Sequence, residues 1–184
     1  MIAINVNNPE VEVGAENEAS RNIAIFGASG ILDVYDKIPV NIVSGEIVVG
    51  SGVYDNQGYL LEISEGETVT FPISTLSTGI KRYDLLVSEL SRDGEGVETH
   101  VLKIVSGEAA ISPAKPTLTR GDFKGGADLR QEEVAAILVN GASATVESKA
   151  AVISSGSGDG SSGRSIYVQS AQPSSAVAGD LWFW

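Results

Sequence analysis

From Val40 to Val105 the chain repeats one pattern: a short run rich in Val, Ile, Leu and Thr, then a break carrying Gly, Asn or Asp. Chain punctuated this often has little room for long helices, and β-branched runs between tight-turn residues suit antiparallel strands. Val40-Asn41-Ile42-Val43 and Glu46-Ile47-Val48-Val49 flank Ser44-Gly45, which predicts a hairpin. Gly52-Val53-Tyr54 and Tyr59-Leu60-Leu61-Glu62-Ile63 flank Asp55-Asn56-Gln57-Gly58, a second one. Val69, Phe71 and Ile73 share a face of the next strand, and Pro72, with no N–H to donate, marks it as an edge or a strand end. The clearest hairpin joins a strand from Arg82 to Leu90 with one from Val97 to Val105. Both are apolar on each face near their centres, so both are expected to be central in a sandwich or buried against another subunit.

Two further strands are expected before Val40. Ile2, Ile4 and Val6 line one side of an extended segment, and Asn22-Ile23-Ala24-Ile25-Phe26 reads as alternating. After Gly107, Pro113 and Pro116 predict an extended path without ladder bonds. The segment that follows has two readings. Asp128 with Gln131 three residues on resembles a helix start, whereas Val134, Ile137, Leu138 and Val139 suit a buried strand ending at Asn140-Gly141. Residues 154–163 are almost wholly Gly and Ser and read as a flexible linker. Beyond them come a short strand, Ser165-Ile166-Tyr167-Val168, and the aromatic ending Leu181-Trp182-Phe183-Trp184. Three large rings at a chain end are expected to dock, which makes Leu181, Trp182, Phe183 and Trp184 the candidate partner-docking residues. The expected fold is thus all-β: a sandwich-like antiparallel body over residues 1–153, a linker over 154–163 and a docking segment over 164–184.

A net charge of −12 repels phosphate backbones and anionic lipid surfaces, so neither nucleic acid nor membrane is an expected partner. No apolar run approaches the ~18 residues of a membrane helix, and Met1-Ile2-Ala3-Ile4-Asn5 lacks the basic start of a signal peptide. The absence of cysteine removes disulfides, thiol nucleophiles and cysteine zinc sites. His100 is the sole histidine, which deprives a Ser-His-Asp triad or a multi-histidine metal site of its usual parts; a surface or interface position is expected for it. Asp55-Asn56-Gln57-Gly58 and Asp93-Gly94-Glu95 carry oxygens a calcium ion could use, yet neither supplies an EF-hand ligand set. Arg120-Gly121-Asp122 reads as a glycine turn between solvated charges. The expectation is a non-catalytic chain with no metal or cofactor.

Four segments together resemble structural proteins from tails and baseplates of phages and prophages of Gram-positive bacteria. They are residues 45–54; Arg82-Tyr83-Asp84-Leu85-Leu86-Val87 with residues 102–109; residues 113–118 with Glu133-Val134-Ala135-Ala136-Ile137-Leu138-Val139-Asn140-Gly141; and Ala171-Gln172-Pro173 through Gly179-Asp180-Leu181-Trp182. The resemblance spans about residues 40–184 and lies in the order of the pieces. It implies a β-rich, often multimeric assembly module that attaches tail appendages or builds the baseplate, and it implies a strand over Val134 to Val139. The expected partners are other tail or baseplate proteins and further copies of the chain, as a homotrimer by analogy with threefold phage appendages. The expected location is the virion tail, after synthesis in the host cytoplasm. A carbohydrate-binding module of the host-adhesion apparatus, with Tyr or Trp rings as sugar platforms, is the alternative; a carboxylate-based depolymerase would need two acids meeting in a cleft.

Overall fold

A computed structural model describes residues 14–27, 29–153, 166–168 and 181–183, the last two stretches as backbone only. The elements in chain order are α1 Ala15–Phe26, β1 Gly30–Leu32, β2 Val40–Val43, β3 Glu46–Val49, β4 Gly52–Asn56, β5 Tyr59–Ile63, β6 Val69–Pro72, β7 Lys81–Arg92, β8 Glu98–Ser106, β9 Leu129–Asn140, β10 Ser143–Lys149, β11 Val152–Ile153, β12 Ile166–Val168 and β13 Leu181–Phe183. The protein is all-β, with one short helix among the described residues. Two compact units divide at Ile153: Met1–Ile153 and Ser154–Trp184. In the second, β12 and β13 pair in parallel, Tyr167 opposite Trp182. The segment Ile2 to Val6, the linker over 154–163, Trp184 and the side chains of Leu181, Trp182 and Phe183 lie outside the described residues.

Among its described residues the first unit holds three sheets, ordered β11-β1-β4-β5, β10-β9-β7-β8 and β2-β3-β6. All pairings in them are antiparallel except β1 with β11. Ile31, Ile38, Ile47, Val49, Tyr54, Leu86 and Ile137, drawn from all three sheets and the chain between them, form one sandwich-like core. The two predicted hairpins form, and positive φ values at Ser44 and Gly45 and at Gln57 and Gly58 match two-residue turns that follow strand twist. The second turn is tighter than the sequence suggested, because Asp55 and Asn56 belong to β4. Pro72 lies on edge strand β6, as its missing donor requires.

The alternating reading of Asn22 to Phe26 as a strand is corrected: these residues end α1. Alanines at 15, 19 and 24 favour helix, Glu16 and Glu18 complement the positive end of its dipole, and Gly27, at φ 82°, ends it by donating to the Ile23 carbonyl at 2.8 Å. Five alternating residues cannot outweigh a helix whose face docks. Ala19 is buried, and Asn22 Nδ2 donates to the Gly58 carbonyl at 2.7 Å. Gly58 permits this contact, since a Cβ there would lie 2.0 Å from the Ala19 carbonyl oxygen, and its φ of +83° is strained for any side chain. Gly58→Ala is therefore expected to lift α1 while sparing the long sheet. Hydrogen exchange should speed up across residues 15–26 and stay slow in β7 and β9; unchanged protection of α1 would contradict this packing account.

The clearest predicted hairpin is β7 with β8, but only β7 is central; β8 is the sheet edge, with one side half-exposed. β9 is a strand through residues 129–140, so the capping signal at Asp128 loses to two ladders, with β7 and β10. Val134 is an extra residue in β9, between Glu133 opposite Val87 and Ala135 opposite Leu86. This bulge swaps the strand's faces midway and leaves the Val134 carbonyl to accept the Ala150 N–H at 2.8 Å.

Candidate functional site

The inner face of the long sheet changes character along its length. Leu86 on β7 and Ala135, Ile137 and Val139 on β9 belong to the apolar core, whereas Ser88 on β7, His100 on β8, and Arg130 and Glu132 on β9 bring polar groups to the other end. Asn56, at the end of β4, reaches across to join them. Its Nδ2 donates to the Ser88 carbonyl and to Ser88 Oγ, both at 3.1 Å. Ser88 Oγ also lies 2.7 Å from His100 Nε2, a hydrogen bond whose direction follows from which ring nitrogen carries the proton. Nδ1 is sealed from solvent and makes no hydrogen bond of full geometry among the described residues. Burial pushes the His100 imidazole down to about 4, against a weaker pull from the Leu60 backbone.

Arg130 locks the neighbouring positions. Its Nε donates to Asn56 Oδ1 at 3.0 Å, its Nη1 to the Gly121 carbonyl at 2.9 Å, and its Nη2 to Glu132. Glu132 also receives Arg120, so one largely buried carboxylate lies between two guanidinium groups. Such a fork fixes orientation in a way a lysine could not. Tyr54 is buried beside them, its hydroxyl held protonated chiefly by burial and further by the charge of Glu132. On the opposite face of the sheet Glu89 takes Gln131 Nε2 at 2.7 Å and Lys103 Nζ at 3.1 Å.

Arg120 and Asp122 are exposed, as expected of solvated charges, but Arg120-Gly121-Asp122 forms no turn, which corrects that part of the expectation, and both charged side chains have partners. Arg120 pairs with Glu132, and Asp122 Oδ1 accepts Gln57 Nε2 at 3.2 Å. Gln57 Oε1 in turn receives the Phe123 N–H at 2.9 Å, so the tripeptide anchors the loop that inserts Phe123 into the interior. Phe123 meets Tyr59 edge-to-face at 5.4 Å, and the Arg92 guanidinium lies 4.8 Å from its ring centre. In each calcium-like loop one carboxylate oxygen is taken up by the backbone: Asp55 Oδ1 takes the Gly58 N–H at 2.5 Å, and Asp93 Oδ1 takes those of Glu95 and Val97, both at 2.9 Å. Burial raises the Asp55 carboxyl, and the Gly58 bond partly opposes it. Among the described residues no three His, Asp or Glu side chains gather as metal ligands.

His100 was expected at a surface or interface; it is instead half-buried, lining a 370 Å³ groove with Ala15, Ala19 and Asn22 of α1 and Tyr59 of β5. Ser88 and His100 have nucleophile–base spacing, but Ser88 has no exposed surface and the imidazole lacks an orienting acid. In this geometry the pair can brace the sheets, and a carbonyl substrate cannot approach its oxygen. Sequence reasoning passed over Ser88, Arg130, Glu132 and Phe123, and read Asn56 only as part of a turn with calcium-capable oxygens. A serine and a glutamate within the otherwise apolar centre of β7 were the available signal, because buried polar groups need partners. Of the candidate docking residues, Leu181, Trp182 and Phe183 supply the backbone of β13. No protein-family model matches this chain, and no curated protein matches it.

Proposed function

We propose that this protein is a non-catalytic structural component of a phage or prophage tail or baseplate, working as a homo-oligomeric building block that attaches or assembles tail appendages. The observation that carries the reading is that its buried carboxylates are engaged: Glu132 with Arg120 and Arg130, and Glu89 with Lys103 and Gln131. That arrangement stiffens a β body. Exposed apolar side chains at Val97, Ile111 and Val152 give such a body surface to bury in an assembly. The glycan-binding alternative wants two exposed coplanar rings. Among the described side chains Tyr54 is buried, Tyr59 and Tyr83 are half-buried, and Tyr35 is the exposed ring.

Light scattering tests the proposal. The full chain and a form ending at Ile153 are both expected to run at three times the mass of their own chain, 19.1 kDa for the full length. A trimer in both places the assembly interface in the β body. A monomer at high concentration in both would overturn the building-block reading and turn attention to a binding module.

A further inference from the structure

Four carboxylates among the described residues are buried: Asp55, Asp84, Glu89 and Glu132. Three of them meet a basic side chain, since Asp84 holds Arg82, Glu89 holds Lys103, and Glu132 holds Arg120 and Arg130. Asp55 is the exception. It is 1% exposed and forms no ion pair among the described residues. Burial raises its carboxyl, the Gly58 N–H is the one opposing influence, and no charged neighbour among the described residues acts on it. Taking a carboxylate out of water without a positive charge beside it is costly, and proteins normally supply one.

Space for such a charge lies next to it. Oδ1 accepts the Gly58 N–H, whereas Oδ2 has no donor among the described residues and is not sealed, so it opens on the 210 Å³ cavity that Asp55 lines. The remaining walls are the end of α1, at Ile23 and Gly27, with Ser29, Gln57 and Gly58. The last turn of α1 carries no basic side chain, so the negative end of its dipole is uncompensated there. Ser29 Oγ accepts the Gln57 N–H at 3.0 Å and keeps a second lone pair. A carboxylate oxygen, a hydroxyl and the negative end of a helix thus border one space, and no basic residue lines it. With about 30 Å³ as the share of one water in the liquid, the cavity has room for an ion and several waters.

We propose that this cavity binds a calcium ion through Asp55 Oδ2, the Ser29 hydroxyl and retained waters, with the end of α1 adding favourable potential. One carboxylate among neutral oxygens makes a weak site, and such a site does not require three acids to gather. Calcium binding here is independent of whether the β body assembles.

Isothermal titration calorimetry of the full chain with calcium chloride, after treatment with EDTA and at fixed ionic strength, is expected to show one site per chain with a Kd of about 0.1–1 mM. Calcium also collects loosely around a chain of net charge −12, and two variants that each remove one negative charge separate the site from that general attraction. Asp55→Asn keeps an acceptor for the Gly58 N–H but not the charge, and is expected to weaken binding by about tenfold or more. Asp93→Asn, in the other calcium-like loop, is expected to leave it unchanged. No binding by the wild type, the same loss in both variants, or unchanged binding by Asp55→Asn would overturn the proposal. A second readout needs no variant: at ten times its Kd, calcium is expected to slow hydrogen exchange at Gln57 and Gly58 by about tenfold, because it binds the closed arrangement. Unchanged exchange at both positions would equally overturn it.

Discussion

Phe123→Ala is expected to lower the free energy of unfolding by about 3–5 kcal/mol, the range for removing a fully buried aromatic ring. Phe123 has no exposed surface, and no strand or helix holds it; the Arg120–Asp128 loop does, through Arg120, Gln57 and the Gly121 carbonyl. The loop therefore cannot collapse far into the space left behind without pulling Arg130 from Asn56. Lost contact with Tyr59 and with the Arg92 guanidinium adds to the hydrophobic loss. Phe123→Leu keeps most of the volume and should cost no more than about 1.5 kcal/mol. Urea unfolding monitored by circular dichroism measures both. A loss below about 1 kcal/mol for the alanine variant would mean that the ring is not the interior anchor its burial indicates.

The second large effect concerns acid. His100 has a folded pKa near 4 against an ordinary value of 6.5, because burial disfavours the imidazolium. The unfolded chain therefore binds a proton at His100 before the folded chain does. Its contribution to stability is full above about pH 6.5, declines as the pH falls through the window down to about 4, and is then lost, to a limit of about 3 kcal/mol. Asp55 acts in the opposite sense: burial raises its carboxyl, so the folded state takes up that proton more readily and gains relative stability on acidification. The two are separated by His100→Gln, which is neutral throughout. Between pH 7 and pH 4 the wild type is expected to lose about 3 kcal/mol more than this variant in urea titrations. Parallel curves for the two proteins would show that His100 does not titrate from a buried neutral state. Protonation makes Nε2 a donor toward Ser88 Oγ, so the same experiment reports on the Asn56–Ser88–His100 arrangement.

Much of the fold was written locally. Ser44-Gly45 and Gln57-Gly58 can adopt the left-handed turns that set hairpin register, and Pro72 excludes its strand from a sheet centre whatever surrounds it. These outcomes depend on backbone preferences of a few consecutive residues, so the amino-acid order alone determined them, and with them the all-β class. Other features depended on contacts between residues far apart in the chain. Asn22 to Phe26 alternates well enough for a strand, and docking of Ala19 on Gly58 made it helical. The polar groups around Ser88 come from β4, β7, β8 and β9, and no local pattern links Asn56 to Arg130. The Val134 bulge hid the alternation of β9, because one unpaired residue inverts which side chains face the core. Burial of a polar group is a property of everything packed around it, so the candidate site, unlike the hairpins, was decided only when the sheets came together.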